Sequence, residues 1–593
     1  RLMLSSPQFE AEHTATRDQT LHGIEKLARR TGRSENDVAQ ALIALLQTAA
    51  DPHTGRVRGA QHWIAGAGHA ELFSALGIAS SGVSRWADRL RGQSRRLWLV
   101  YLGAVLMGTL LVVLLSVMTS ATPASRGLAR SLSQAFSGDF TGFTTATGSM
   151  LLGLFAIGLM LVVTSEWVVA VINRLISESV PPQHLARLAF TDGIPPEHRV
   201  LVVIPALLTD PASIQALAHR LRLHFLANPE QNAQFALLTD WVDAHTEQAT
   251  HDRSLLDCAI REVTALNALH PMPSGALTEV PRFIVLHRSR TFCDSEQRWI
   301  GWERKRGKLE QLIALLARQL VPGTAVDTAR HRVFAELGAL SRIATHTPYV
   351  VTLDSDTELP PGRLRELVGV AAHPHNQPQL DTAGRRVVHG YGILQPRVAV
   401  PLPTVHAALG GVNPRPTLFH ALFAGQCGID PYSAATSEVY QDLFDEGTFT
   451  GKGLLHVQAV HAVLGGRLPQ NRVLSHDLLE GSMARCAAVS DITLVEDAPF
   501  HSDVAASRQH RWMRGDWQLL PFLLSSGRRK NGGAISVINR WKMFDNLRRS
   551  MVAPASLALL ICALAGVTVS PAAAVALVLA TYGRRSRFFT QPG

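Results

Sequence analysis

The chain is poor in cysteine, with five in 593 residues (Cys258, Cys293, Cys427, Cys486 and Cys562) and no C-x-x-C pair. That spacing indicates neither a disulfide framework nor a zinc site, and it reads as reduced, mostly buried thiols of a protein facing the cytosol. Nothing near the start resembles a signal peptide. The chain begins at Arg1 rather than Met and is expected to be a fragment or a processed product. It also lacks a clustered basic face. The formal charge is +10 and the pI about 9.8, yet the basic residues are dispersed and no nucleic-acid-binding motif accompanies them. No nucleic acid is expected as a partner. Several of these cations instead flank apolar segments, as in membrane proteins.

The length admits several domains or layers. Residues 1–90 read as a helical soluble segment suited to docking or scaffolding. Within it Thr31-Gly-Arg-Ser34-Glu-Asn-Asp37 marks a helix start, ahead of apolar Val38, Leu42, Ile43 and Leu46. Residues 91–175 hold two apolar runs, 97–119 and 150–172, each near the ~20 residues that span hydrocarbon. Arg91, Arg95 and Arg96 before the first and Arg174 after the second place both ends in the cytoplasm, with 121–147 outside. Glu166 in the second run is costly in lipid and should face protein, water or the interface.

Residues 181–530 form the expected soluble body. Short apolar runs at 200–204, 235–238, 283–286 and 349–353 alternate with helical patterns at 211–225 and 302–316. Such alternation predicts an α/β domain with a mostly parallel sheet. From 533 to 593 the pattern changes again. Residues 537–550 are basic and amphipathic, as in a helix lying in a membrane interface. Residues 551–569 predict a third span, and 572–582, after Ser570-Pro571, are short for a fourth. A lipid bilayer is therefore an expected partner.

The body is organised around Tyr349-Val-Val-Thr-Leu-Asp354-Ser-Asp356-Thr-Glu358-Leu-Pro-Pro-Gly362. Four of the first five residues are β-branched or aromatic, which suits a buried strand, and Pro-Pro-Gly then turns the chain. Two carboxylates arrive at the carboxyl end of a strand, where open α/β sheets keep their ligand crevice. Asp354 and Asp356 there suit a hard divalent cation, and equally a solvated acidic turn.

Other strand ends carry Asp240 and Asp243, which follow the 235–238 run. Leu474-Ser-His-Asp477-Leu-Leu-Glu480 places Asp477 as either a helix-capping carboxylate or a reactive one. In Arg508-Gln509-His510-Arg511-Trp512-Met-Arg514-Gly-Asp516-Trp517-Gln518, arginine beside tryptophan can clamp a diphosphate and offer a stacking face. The same residues also suit an amphipathic helix near a membrane. Lys305-Arg306-Gly307-Lys308 could touch phosphate, but a solvated basic face is slightly preferred.

The order of these motifs resembles processive, inverting membrane glycosyltransferases of the GT-A fold, the group that contains cellulose synthase. The nearer resemblance is to cyclic β-1,2-glucan synthases. It rests on Trp302 to Leu309, Thr352 to Pro360 with Pro361, His389 to Arg397, Gly428 to Tyr432, Gly451-Lys-Gly453, Leu474 to Asp477 and Arg508 to Leu520. This resemblance implies UDP-glucose as donor, a growing β-1,2-glucan as acceptor and Mg²⁺ or Mn²⁺ as cofactor. It implies that Asp240 holds the uridine, Asp354 and Asp356 the metal and diphosphate, with Lys305 also on the donor. Asp477 is then the base, and Gln509, Arg511 and Trp512 bind the diphosphate and the acceptor end. The location implied is the bacterial inner membrane, with the catalytic domain cytoplasmic.

Two departures stand out. Ser-His-Asp replaces the wider group's Thr-Glu-Asp, which keeps the Asp. The family's phosphorylase-like and ring-closing regions are missing, so further domains of a longer synthase are expected. Synthesis of another β-glucan linkage, or a silent scaffold for glucan export, are the alternatives.

Overall fold

The computed structural model describes residues 1–47, 59–64, 68–77, 94–119, 147–180, 182, 184–272, 280–320, 333–401, 419, 438–474, 476–499, 501–524, 535–566 and 569–583. The expected outer loop, apart from its last residue Thr147, and the Gly428 to Tyr432 block lie outside them.

The N-terminal helices are α1 (Pro7–Ala11), α2 (Thr14–Thr31), α3 (Glu35–Gln47), α4 (Ala60–Ile64) and α5 (His69–Ala75). Helix α2 stops at Gly32 in the left-handed conformation, and α3 starts through a reciprocal cap: Ser34 N–H donates to Asp37 at 3.2 Å and Asp37 N–H to Ser34 Oγ at 3.1 Å. Val38, Leu42, Ile43 and Leu46 all enter the small core of this segment. It docks by backbone pairing, with Ala189 N–H on the Ala11 carbonyl at 3.0 Å and His13 N–H on the Arg187 carbonyl at 2.9 Å.

The body is built on strands β1 (Val200–Leu208), β2 (Ala233–Trp241), β3 (Phe283–Arg288), β4 (Thr291–Cys293), β5 (Arg298–Ile300), β6 (Tyr349–Thr352), β7 (Thr357–Glu358), β8 (Gln379–Leu380), β9 (Val387–His389), β10 (Ile393–Ala399), β11 (Gly453–His456) and β12 (Cys486–Glu496). The main sheet runs β3-β2-β1-β6-β11-β10-β12-β7 among the described residues. Strands β3, β2, β1 and β6 are parallel; β11 is antiparallel to β6 and β10, β12 is parallel to β10, and β7 runs antiparallel to β12.

The first strands read as continuous apolar runs because helices cover both faces. On one face Val202 and Ile204 pack with α8 (Pro211–Ala227), α9 (Asp252–Leu269) and α11 (Arg363–Ala372). On the other, Leu201 and Val203 pack with α10 (Arg304–Gln319), α13 (Val457–Leu464) and α14 (Asp477–Ala484). A short helix α12 (Val439–Phe444) precedes β11, and α15 (Ser502–Gln518) and α16 (Leu520–Leu524) follow β12.

Strand order reverses at β1, with β2 on one side and β6 on the other. Pairing of β1 with β6 ends at Val203↔Thr352, and Leu353 N–H closes it on the Val203 carbonyl at 3.0 Å. Pro205 points the same way as Val203. Its missing N–H costs nothing there, because β6 has already left. The gap so opened at the carboxyl ends of β1 and β6 is where a crevice belongs in an α/β sheet.

Among the described residues, three helices are long and apolar enough to cross a membrane: α6 (Ser94–Thr119), α7 (Thr147–Ser179) and α17 (Val537–Leu564). The expected interfacial helix and third span are one continuous helix, α17, which carries Pro554 inside it. It ends at Leu564 ahead of Ser570-Pro571, and the short α18 (Pro571–Gly583) follows. Glu166 of α7 faces protein, as its cost in lipid requires: Arg548 of α17 reaches it at 2.8 Å while also binding Asp545 at 2.6 Å and Ser165 at 2.9 Å. The same helix grips the body, where Lys542 Nζ donates to the carbonyls of Glu446 at 2.9 Å and Gly447 at 2.8 Å.

Gly453 opens β11 at φ +124°, and a Cβ there would stand 2.1 Å from the Leu394 carbonyl. Gly453→Ala should therefore cost about 2–4 kcal/mol through strain and forced separation of β10 from β11. Thermal unfolding checks this, and an unchanged midpoint would refute the packing.

Candidate functional site

Beyond β6 the chain turns at 354–357, with Thr357 N–H donating to the Asp354 carbonyl at 3.1 Å. The Asp354 carboxylate thus emerges at the open end of the sheet and meets two ammonium groups. Lys305, in the first turn of α10, binds Asp354 Oδ1 and also donates to the Gly451 carbonyl at 2.9 Å. Lys452 lies 3.5 Å from Asp354 Oδ2 and makes a close ion pair with Glu496. Glu496, at the end of β12, accepts Arg508 of α15 at 2.7 Å. The Arg508 guanidinium in turn lies 5.0 Å from the Trp512 ring centroid. Alternating charges therefore run from α10 through the 451–453 loop and β12 to α15.

Burial works against ionised Asp354, but Lys305 and Lys452 outweigh it and hold the carboxyl below its ordinary value. Burial holds Lys452 below the usual lysine range, although Asp354 and Asp356 oppose it. Asp354 and Asp356 offer hard oxygen donors one residue apart. Both are of the type a divalent ion takes, and in this structure Lys305 and Lys452 occupy the two Asp354 oxygens.

Asp477 is the first residue of α14, and Gly451 makes room for it. At φ +87° Gly451 has no side chain, and a Cβ there would lie 3.1 and 3.2 Å from the Asp477 carboxylate oxygens. Burial raises the Asp477 carboxyl above its ordinary value despite His476 and Lys305 nearby. The segment before it is tied to α15 by Leu474 N–H donating to Gln518 Oε1 at 2.7 Å. Gln509, Arg511 and Trp512 are exposed on α15, all within one turn.

Asp240 is placed differently from Asp354 and Asp477. It lies inside β2 rather than after it, with its side chain 1% exposed. Arg288 grips it with two bonds of 2.7 and 2.8 Å, and Lys308 lies 3.0 Å away while donating to the Ala206 carbonyl at 2.8 Å. Burial pushes Lys308 down to about 8 in spite of Asp240. The slight preference for a solvated basic face at 305–308 is corrected here. Arg306 and Lys308 are each 3% exposed in their side chains, and every cation of the run has a carboxylate partner. They turn inward because α10 covers the sheet and its carboxylates need compensation.

No family model matches the chain. The cyclic β-(1,2)-glucan synthase NdvB of Rhizobium meliloti (strain 1021) is 36% identical over 545 residues, which is 90% of this chain and 17% of that protein. The chain is a partial homologue of a cyclic β-(1,2)-glucan synthase. It spans about a sixth of that relative's length. The similarity expected from the motifs is therefore present along nearly all of the sequence.

Reading residues alone passed over Arg288 and Glu496, and it quoted Lys452 and Glu480 within motifs without giving either a role. Lys452 had one signal, its place between two glycines. Arg288 and Glu496 had none, because each matters only through partners distant in sequence.

The Asp240 cluster gives a direct stability test. Asp240→Ala leaves Arg288 and Lys308 buried without their shared carboxylate and should cost about 3–5 kcal/mol. Denaturant unfolding checks it, and a loss below about 1 kcal/mol, the scale of an exposed pair, would contradict the burial.

Proposed function

We propose that this chain is the polymerising module of a longer cyclic β-1,2-glucan synthase. In this reading it is a membrane-bound, GT-A-like glucosyltransferase that passes glucose from UDP-glucose to a growing β-1,2-glucan with inversion. One observation carries the proposal: Gly451 brings two carboxylates to one place. Its carbonyl accepts Lys305, which binds Asp354, and its bare α-carbon admits Asp477. An inverting transfer needs such a pair, one group for the attacking hydroxyl and one beneath the departing diphosphate. Homology to a named glucan synthase supports the sugar chemistry.

The acceptor hydroxyl gives its proton to Asp477 as its oxygen attacks the anomeric carbon. The bond from that carbon to the UDP oxygen breaks on the opposite face. Lys305, Arg511 and Gln509 take up charge on the diphosphate, and Trp512 presents its indole face to the acceptor sugar. Asp354 and Asp356 would hold Mg²⁺ or Mn²⁺, which when bound neutralises further diphosphate charge. Asp240, held in place by Arg288 and Lys308, serves the uridine. The apolar helices α6, α7 and α17 anchor the module in the inner membrane, with the body in the cytoplasm.

Membranes carrying the full-length protein should incorporate labelled UDP-glucose into 1,2-linked polymer, and chelation of divalent cations should abolish this. Asp477→Asn should lower the rate by roughly 10²–10⁴-fold. Incorporation at the wild-type rate by Asp477→Asn would remove the base. A different linkage would change the product, and none at all from the full-length protein would sink the enzyme reading.

A further inference from the structure

Behind Asp477 lies a second carboxylate and an imidazole that the transfer itself does not use. His476 immediately precedes α14, and Glu480 stands one turn into it, so positions 476, 477 and 480 crowd one end of the helix. His476 Nδ1 lies 3.0 Å from Glu480 Oε1 and 3.3 Å from Asp477 Oδ1. One ligand atom from each residue falls within 4.8 Å of the others. A small cavity of about 30 Å³, room for about one water, adjoins the cluster and is otherwise walled by residues such as Leu309, Ile313 and Val460.

A nitrogen that close to two carboxylates is stabilised as N–H⁺ and repelled as a lone pair. We propose that His476 is a positioning residue for the base: its imidazolium, placed by charge between Glu480 and Asp477 Oδ1, keeps the Asp477 carboxylate ionised and turned toward Gly451. The proposal rests on the reading of Asp477 as the base. Both Asp477 oxygens lie beside the bare α-carbon of Gly451, and Oδ2, which is not the oxygen paired with His476, is then left for the acceptor hydroxyl. This assigns a use to the histidine that stands where the wider group has glutamate.

Besides His476 and Glu480, Asp477 has Lys305 and Asp354 nearby, and the negative charge of Asp354 opposes its ionisation. Lys305 and Arg306 of α10 face the cluster, but Lys305 is engaged by Asp354, and Arg306 by Glu303 at 2.5 Å and Glu310 at 3.2 Å. Glu310 and His461 of α13 line the same cavity. Burial disfavours a charged His476, yet Glu480 and Asp477 more than offset it and raise its pKa above the usual histidine value. The imidazolium therefore persists to higher pH than a free histidine would allow.

The test is the pH profile of glucan synthesis by the full-length protein carrying His476→Gln, His476→Lys or Asp477→Asn. Removing the cation should raise the pKa of Asp477. His476→Gln should thus move the acid limb upward by about one unit, a loss of roughly tenfold on that limb that fades at alkaline pH. His476→Lys restores a cation and should bring the limb back toward wild type. Limb position does not depend on how much protein folds, so partial misfolding alters height alone. An unmoved limb in His476→Gln overturns the proposal while leaving the base in place. Full activity in Asp477→Asn overturns the reading beneath it.

Discussion

The site depends on how the charge of Asp354 is compensated. A carboxylate at the end of a buried strand loses water on one side, and in that setting its charge interacts strongly with whatever cation approaches. Two lysines from different parts of the chain answer it, Lys305 from α10 and Lys452 from the loop that starts β11. Each lysine is tied elsewhere as well, to the Gly451 carbonyl and to Glu496 respectively. Glu496 then draws in Arg508 and with it α15. No member can leave without stranding another charge, so the network fixes the relative places of four elements.

This arrangement spans the seam of the sheet. Lys305 belongs to a helix covering the parallel half, whereas Lys452, Glu496 and Arg508 belong to the part built from β11 onward. The halves meet where β11 pairs with β6 through Gly453↔Thr352, two residues before Asp354. Backbone pairing and ion pairing thus converge within a few residues. The opening at Pro205, the turn at 354–357 and the bare α-carbon of Gly451 together leave space there rather than filling it.

Attachment to the apolar helices follows the same logic of compensated charge. Lys542 is buried but caps two carbonyls at 446 and 447, and Asn539 binds the Glu446 carboxylate at 2.7 Å. One turn and a half further along α17, Arg548 joins that helix to α7 through Glu166 and Ser165. A single continuous helix therefore links the body to the membrane-length segments, with polar anchors at both levels.

Local information was enough for several parts of this protein. The runs at 200–204, 235–238, 283–286 and 349–353 became parallel strands because apolar, β-branched residues buried on both faces leave little alternative. The helix start at Ser34 and the need of Glu166 for a partner were legible for equally local reasons, whereas the third apolar helix ends at Leu564, before the expected break at Ser570-Pro571. The strand-turn position of Asp354 and Asp356 was legible too. Other features depended on the fold. Asp240 reads as a group at a strand end, yet it is enclosed by Arg288, 48 residues away in sequence. The run at 305–308 reads as a wet basic face, yet it points inward. Glu496 and Lys452 carry no pattern that announces their pairing. Periodicity and propensity act over a few residues, and they determined the elements and the carboxylates at their ends. Which charges compensate which is a matter of distance in space, and that only the tertiary structure decided.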